Sequence, residues 1–169
     1  HAAGVAFLRP YCEVRAVPAD IVITSNGGAP LDQNIYQSVK GMTAGEATCA
    51  EGGVIIMSAA CADGHGGESF RKTMTQELSP AQILAQIQAT PMAETVPDQW
   101  ESQILARILM KHRIIFVSRP EMETTLREMK LDYAPDLDTA IAMARANGRR
   151  GSLAVGRMGW EALPRTARS

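Results

Sequence analysis

At 169 residues, with 46% hydrophobic and 21% charged side chains, the chain is long enough for one domain with a sizeable core. A net charge of -1 gives no pull toward nucleic acid or an anionic membrane, and no apolar run reaches spanning length. The cysteines, Cys12, Cys49 and Cys61, are odd in number and form no CxxC pair, which argues against a disulfide framework and for a reducing, cytoplasmic setting.

The chain opens on His1, and Ala2–Leu8 reads as a helix cut partway, as in a fragment of a longer protein. Tyr11 to Val17 alternates, with Cys12, Val14 and Ala16 on one side, so a half-buried strand is expected there. Pro18 ends it. Asp20 to Thr24 is a β-branched run of the kind buried on both faces of a parallel sheet. Ser25-Asn26-Gly27-Gly28 then turns the chain, and Asp32 is the expected cap of a helix from about Gln33 to Cys49. Val54–Met57 is a second buried strand, followed by a glycine-rich loop, Asp63 to Glu68, and a short helix from Ser69 to Glu77.

Ser79 and Pro80 cap and start a helix to about Ala89. Pro97 is expected to open a longer one reaching His112, with Ile104, Leu105, Ile108 and Leu109 as its apolar stripe. Ile114–Ser118 is a third buried strand, Pro120–Lys130 and Asp136–Asn147 are helices, the latter closed by Gly148, and Ser152–Val155 is a final strand. Buried strands alternating with helices predict an α/β fold, a mostly parallel sheet covered by helices on both faces in a Rossmann-like three-layer arrangement. Thr90 to Pro97 is too short a linker to divide two domains, so a single domain is expected.

Candidate chemistry gathers past the C-terminal ends of the first two buried strands, where open α/β sheets bind ligands. On the helix after the first turn, Ile35, Val39 and Met42 fall on one side and Tyr36, Gln37 and Lys40 on the other. A phenol, an amide and an ammonium within one turn would grip a small hydroxy acid. The same residues also suit a solvated helix face, which spacing alone favours. The turn has neither GxGxxG nor GxxxxGK[ST] spacing, which leaves dinucleotide or P-loop binding without support. Its glycines still allow close backbone approach, and the helix start would favour an anion. In the second loop, His65 lies between Asp63 and Glu68, an arrangement open to acid/base work or metal ligation. No second pair of soft ligands accompanies it, so no metal site is expected. Asp63 and Glu68 are expected to bond loop amides, with His65 in support. Trp100 is read from spacing as core ahead of the other reading, an aromatic wall of a pocket. His112 is expected as an imidazolium at a helix end. No nucleophile arrangement emerges.

The stretch from Ser25 to Met42, then Gly52–Ile56, the Asp63–Glu68 loop and Asp98-Gln99-Trp100 occur in an order that resembles the nickel-dependent lactate racemases and related 2-hydroxyacid racemases. The likeness runs from about Ala19 to Ser118. It implies that residues 1–18 lead from an N-terminal domain outside this sequence and that 19–169 are the C-terminal α/β domain. In such an enzyme the N-terminal domain holds a nickel pincer nucleotide, joined to a lysine, and two proton-transferring histidines. The cofactor takes hydride from the substrate's α-carbon and returns it to either face. The resemblance assigns Lys40 to the substrate carboxylate, Tyr36 and Gln37 to its neighbourhood, and Trp100 to an aromatic wall beside cofactor and substrate. Asn26, Gly27, Gly28, Asp63 and His65 become supporting positions. It implies a small 2-hydroxy acid such as lactate as substrate, with no nucleic acid or membrane partner. It further implies no catalytic residue in this chain, which alone would be inactive. Ala29 stands where the pattern calls for an aromatic residue, which would widen the pocket, and the segment from Val155 onward matches nothing in the family. The alternatives are a non-catalytic anion-binding or partner-docking domain, or a family member acting on a sugar acid or handling cofactor.

Overall fold

Runs of β-branched residues with no polar side must be covered on both faces, and in the structure they are. The computed structural model describes residues 1–15, 17–146, 152–156 and 163–165. In chain order the elements are α1 (Ala2–Cys12), β1 (Glu13–Arg15), β2 (Ala19–Ser25), α2 (Ile35–Glu46), β3 (Cys49–Ser58), α3 (Glu68–Met74), α4 (Pro80–Ala89) and α5 (Gln99–Lys111). There follow β4 (Arg113–Val117), α6 (Glu123–Glu128), β5 (Asp132–Ala134), α7 (Leu137–Ala146), β6 (Leu153–Gly156) and β7 (Leu163–Arg165).

Five strands form one parallel sheet in the order β5-β4-β3-β2-β6. Ile23 pairs with Ile56 on one side and Val155 on the other, and Ile56 pairs onward with Ile115. The chain steps outward from β2 to β5, then returns through α7 to lay β6 on the free side of β2. The winding therefore reverses between β2 and β6, the kind of position where α/β sheets take ligands. On one face, α2 to α6 cover Ile55, Met57, Ile114 and Phe116, burying Val39, Met42, Phe70, Ile83, Leu105 and Leu126. On the other, α7 packs Ala140 and Ala144 against Ile21, Ile23, Ile56 and Ile115. The three-layer α/β expectation is met, with most helices on one side.

Several expectations are corrected. Tyr11 and Cys12 end α1 rather than a strand, and none of that helix's side chains is buried. The strand that follows is three residues long and pairs with β7 in a separate two-stranded sheet. Pro97 does not open α5; Asp98, at φ 60°, is its cap. Pro120–Met122 is a 3-10 turn before α6, and Lys130, at φ 67°, lies outside the helix. The strand β5 was not foreseen. His112 is buried, and that burial pushes its pKa down, against the charged form that a helix end would favour. Gly148 and the chain just beyond β6 lie outside the described residues.

Candidate functional site

The turn after β2 needs glycine: Gly27 and Gly28 stand at φ 85° and 83°, a region L side chains rarely adopt. The Asn26 side-chain amide donates to the Leu31 carbonyl and closes the turn. The cap of α2 is Asn34, not Asp32: its Oδ1 accepts from the Gln37 amide at 2.9 Å. The Asp32 carboxylate reaches across to the next loop instead and accepts from the Ala60 amide at 3.0 Å.

Four backbone bonds join the two loops. Cys61 and Asp63 amides donate to the Asp32 and Gln33 carbonyls at 2.9 and 2.7 Å. Ile35 and Tyr36 amides donate to the Gly64 and His65 carbonyls at 3.1 Å each. The first-turn amides expected to greet an anion are therefore already satisfied. The approach is close enough that a Cβ at Gly66 would come within 2.5 Å of the Asn34 side chain. Burial pushes the Cys61 thiol up to about 11, which leaves it without thiolate character at neutral pH.

Ile35, Val39 and Met42 are fully buried, which turns Tyr36, Gln37 and Lys40 outward. Lys40 Nζ donates to Gln37 Oε1 at 2.5 Å. The Tyr36 hydroxyl donates to Asp98 Oδ1 at 3.1 Å, and its ring meets Trp100 edge-on with centroids 5.9 Å apart. On its other side it packs edge-on against Phe70 at 5.7 Å. Burial first, then the bond to Asp98 and the charges of Asp98 and Glu101, push the Tyr36 phenol up to about 12. It remains a hydrogen-bond donor at any working pH. Trp100 is 48% exposed, so the core reading drawn from spacing does not hold. Its indole instead lies open beside the Tyr36 ring.

Sequence reasoning missed Glu101. The buried side of α5 carries the expected Leu105 and Ile108 together with Glu101, Ser102 and Ala106, while Ile104 and Leu109 are only partly buried. Glu101 is fully buried, yet neither carboxyl oxygen has a hydrogen-bond partner among the described residues. Burial pushes its pKa up to about 7, with the Lys40 charge acting against the rise and Asp98 adding to it. The signal was present: a carboxylate four residues before Leu105 on an otherwise apolar stripe. At the far ends of the same two helices, Arg107 and Lys111 reach Glu46 at 2.5 and 3.4 Å, so α2 and α5 run side by side in the same direction.

The second loop holds its own groups. His65 Nδ1 accepts from the Gly67 amide at 3.2 Å, and its Nε2 lies 3.3 Å from Glu68 Oε1. Glu68 thus serves His65 rather than the loop amides, and the Asp63 side chain is exposed. Among the described residues, no three His, Cys, Asp or Glu side chains group to hold a metal ion. No described helix is long and apolar enough to cross a membrane.

A family model for the lactate racemase C-terminal domain matches residues 14–157. The chain is 51% identical over 146 residues to a lactate racemase of Thermoanaerobacterium thermosaccharolyticum, covering 86% of this chain and 34% of that protein. It is 47% identical over 154 residues to a lactate racemase of Lactiplantibacillus plantarum, covering 91% and 36%. It superposes on the lactate racemase apoprotein structure from T. thermosaccharolyticum with a TM-score of 0.93 and 47% identity, over 98% of this chain and 40% of that one. The chain thus spans about a third of the length of the curated relatives it matches. With the family model covering most of its length, the chain belongs to the lactate racemase C-terminal domain family.

Proposed function

We propose that this chain is the substrate-orienting, C-terminal part of a racemase acting on lactate or a related 2-hydroxy acid. The observation that carries the reading is the meeting of Lys40, Gln37, Tyr36 and Trp100 on one wall beyond the sheet's C-terminal edge. In this reading residues 19–169 are the α/β domain and 1–18 lead into it from an N-terminal domain. The description of the matching family as a C-terminal domain supports that division, as does the third of the relatives' length covered. A cytoplasmic setting goes with the reading and with thiols that form no CxxC pair.

Lys40 binds the substrate carboxylate. Gln37 holds the ammonium through its carbonyl, which leaves its amide protons directed by that same bond. Tyr36, kept protonated, offers its oxygen and ring, and Asp98 fixes the hydroxyl's direction. Trp100 and Tyr36 together keep water from the reacting carbon, which raises the worth of each charge inside. Among the described residues no cluster of metal ligands fits the nickel of the nickel pincer nucleotide that the racemase resemblance implies, and in this reading the N-terminal domain holds it.

A charge-assisted bond to a carboxylate is worth about 1.5–3 kcal/mol, so Lys40→Ala in the full-length, cofactor-loaded enzyme is expected to raise KM for lactate roughly tenfold to hundredfold. Chiral chromatography of single-enantiomer lactate over time measures it. Kinetics indistinguishable from the unsubstituted enzyme would reject the carboxylate role.

A further inference from the structure

Lys40 and Glu101 lie across the same helix pair, and the structure shows them apart. The ammonium bonds Gln37, and the buried carboxyl group of Glu101 has no hydrogen-bond partner among the described residues. A buried polar group in that condition costs about 1–3 kcal/mol, and more if charged. Two things relieve it: a proton, or a cation. Among the described residues, the cation whose charge acts on it is Lys40, whose long flexible stem lets the ammonium swing.

From α2, Tyr36 donates its proton to Asp98 and is not a cation. From α5's own start, Asp98 repels the carboxylate. Packed alongside, α4 carries no titratable side chain. On α3, Glu68 faces His65 and Arg71 faces Glu128, while Lys72 is exposed.

We propose that Glu101 is an internal counter-carboxylate for Lys40: it competes with the substrate's carboxylate for the ammonium, and takes a proton from solvent when the substrate wins. Glu101 is thus a positioning residue, acting on substrate only through Lys40. The inference rests on the carboxylate role proposed for Lys40. With Glu101 neutral, the ammonium is free and the substrate binds well. With Glu101 ionised, the two carboxylates contend and binding weakens. Occupancy of the site withdraws the ammonium and adds a negative charge, so the carboxyl group of Glu101 binds its proton more tightly in the complex, and binding takes protons up.

The test is calorimetric titration of the full-length, cofactor-loaded enzyme with L-lactate at about pH 7.5, in two buffers of different ionisation enthalpy. The expected uptake is on the order of a third of a proton per lactate in the unsubstituted enzyme and none in Glu101→Gln or Lys40→Ala. In parallel, KM is expected to rise roughly tenfold from about pH 6 to about pH 8.5 and to stay flat in Glu101→Gln, with kcat moving much less. Absence of proton uptake by the unsubstituted enzyme overturns the inference, whether or not the variant folds. So does equal uptake in Glu101→Gln. If Lys40→Ala leaves lactate affinity untouched, the reading beneath fails as well. If Lys40→Ala weakens binding while proton uptake is absent throughout, only the role of Glu101 fails.

Discussion

At the residue scale, the folded and unfolded chains hold the Glu101 proton differently. Its pKa rises from 4.5 to about 7 on folding, because burial disfavours the charged form. For an acid shifted upward, the folded state binds more protons between those two values. Stability contributed by the neutral form is therefore full below pH 4.5 and lost as pH rises through about 7. The loss is on the order of 3 kcal/mol. Glu101→Gln is expected to remove that slope, gaining on the wild type by this amount at alkaline pH relative to acid. Urea denaturation of both proteins at the two ends of the range measures it, and parallel curves would contradict the assignment. The residues flanking Glu101 show what spacing conveys and what it does not. Tyr36, Gln37 and Lys40 were legible because a helix with Ile35, Val39 and Met42 inward has only one outward face. Trp100 was not, since its place beside the Tyr36 ring comes from how α5 lies against α2 and not from the pattern of α5 itself.

At the scale of elements, local chemistry was read well wherever it sufficed. The start of α4 is a capping box: the Ser79 hydroxyl accepts from the Gln82 amide at 3.3 Å, and the Gln82 side chain accepts from the Ser79 amide at 2.9 Å. Ser79→Ala is expected to cost about 1 kcal/mol, read as a lowered denaturation midpoint with unchanged slope. No change at all would mean that tertiary contacts alone hold this helix end. The start of α2 was misread at Asp32, because a contact from another loop decides which residue caps the helix. Asp32 is drawn away by the Ala60 amide, which leaves the cap to Asn34. The strand β5 escaped notice for a related reason: three residues carry no period, and only pairing with Ile115, Phe116 and Val117 makes them a strand. The strand β1 was expected, but within a longer run from Tyr11 to Val17; its partner lies about a hundred and fifty residues away in β7.

On the scale of the whole molecule, the parallel sheet was legible from its continuous apolar runs, since only a doubly covered sheet buries them. The reversal of strand order between β2 and β6 was not, because the pattern of a strand says nothing about which neighbour it takes. The four backbone bonds between the loops after β2 and β3 give the site a frame of its own. Hydrogen exchange of the full-length protein is expected to show the amides of Ile35, Tyr36, Cys61 and Asp63 protected together, at a level approaching the sheet's rather than that of exposed turns. Independent exchange of the two pairs would mean that the loops open separately. Their joining also sets what can be transplanted. A protein engineer seeking to move this pocket's selectivity onto a related scaffold could not graft the segment after β2 alone. Without the residues 60–66 that receive and supply its backbone bonds, and without Gly66 to admit Asn34, the grafted turn would lose the surface that shapes it. The heritable unit of selectivity on this wall is the pair of loops, exchanged together.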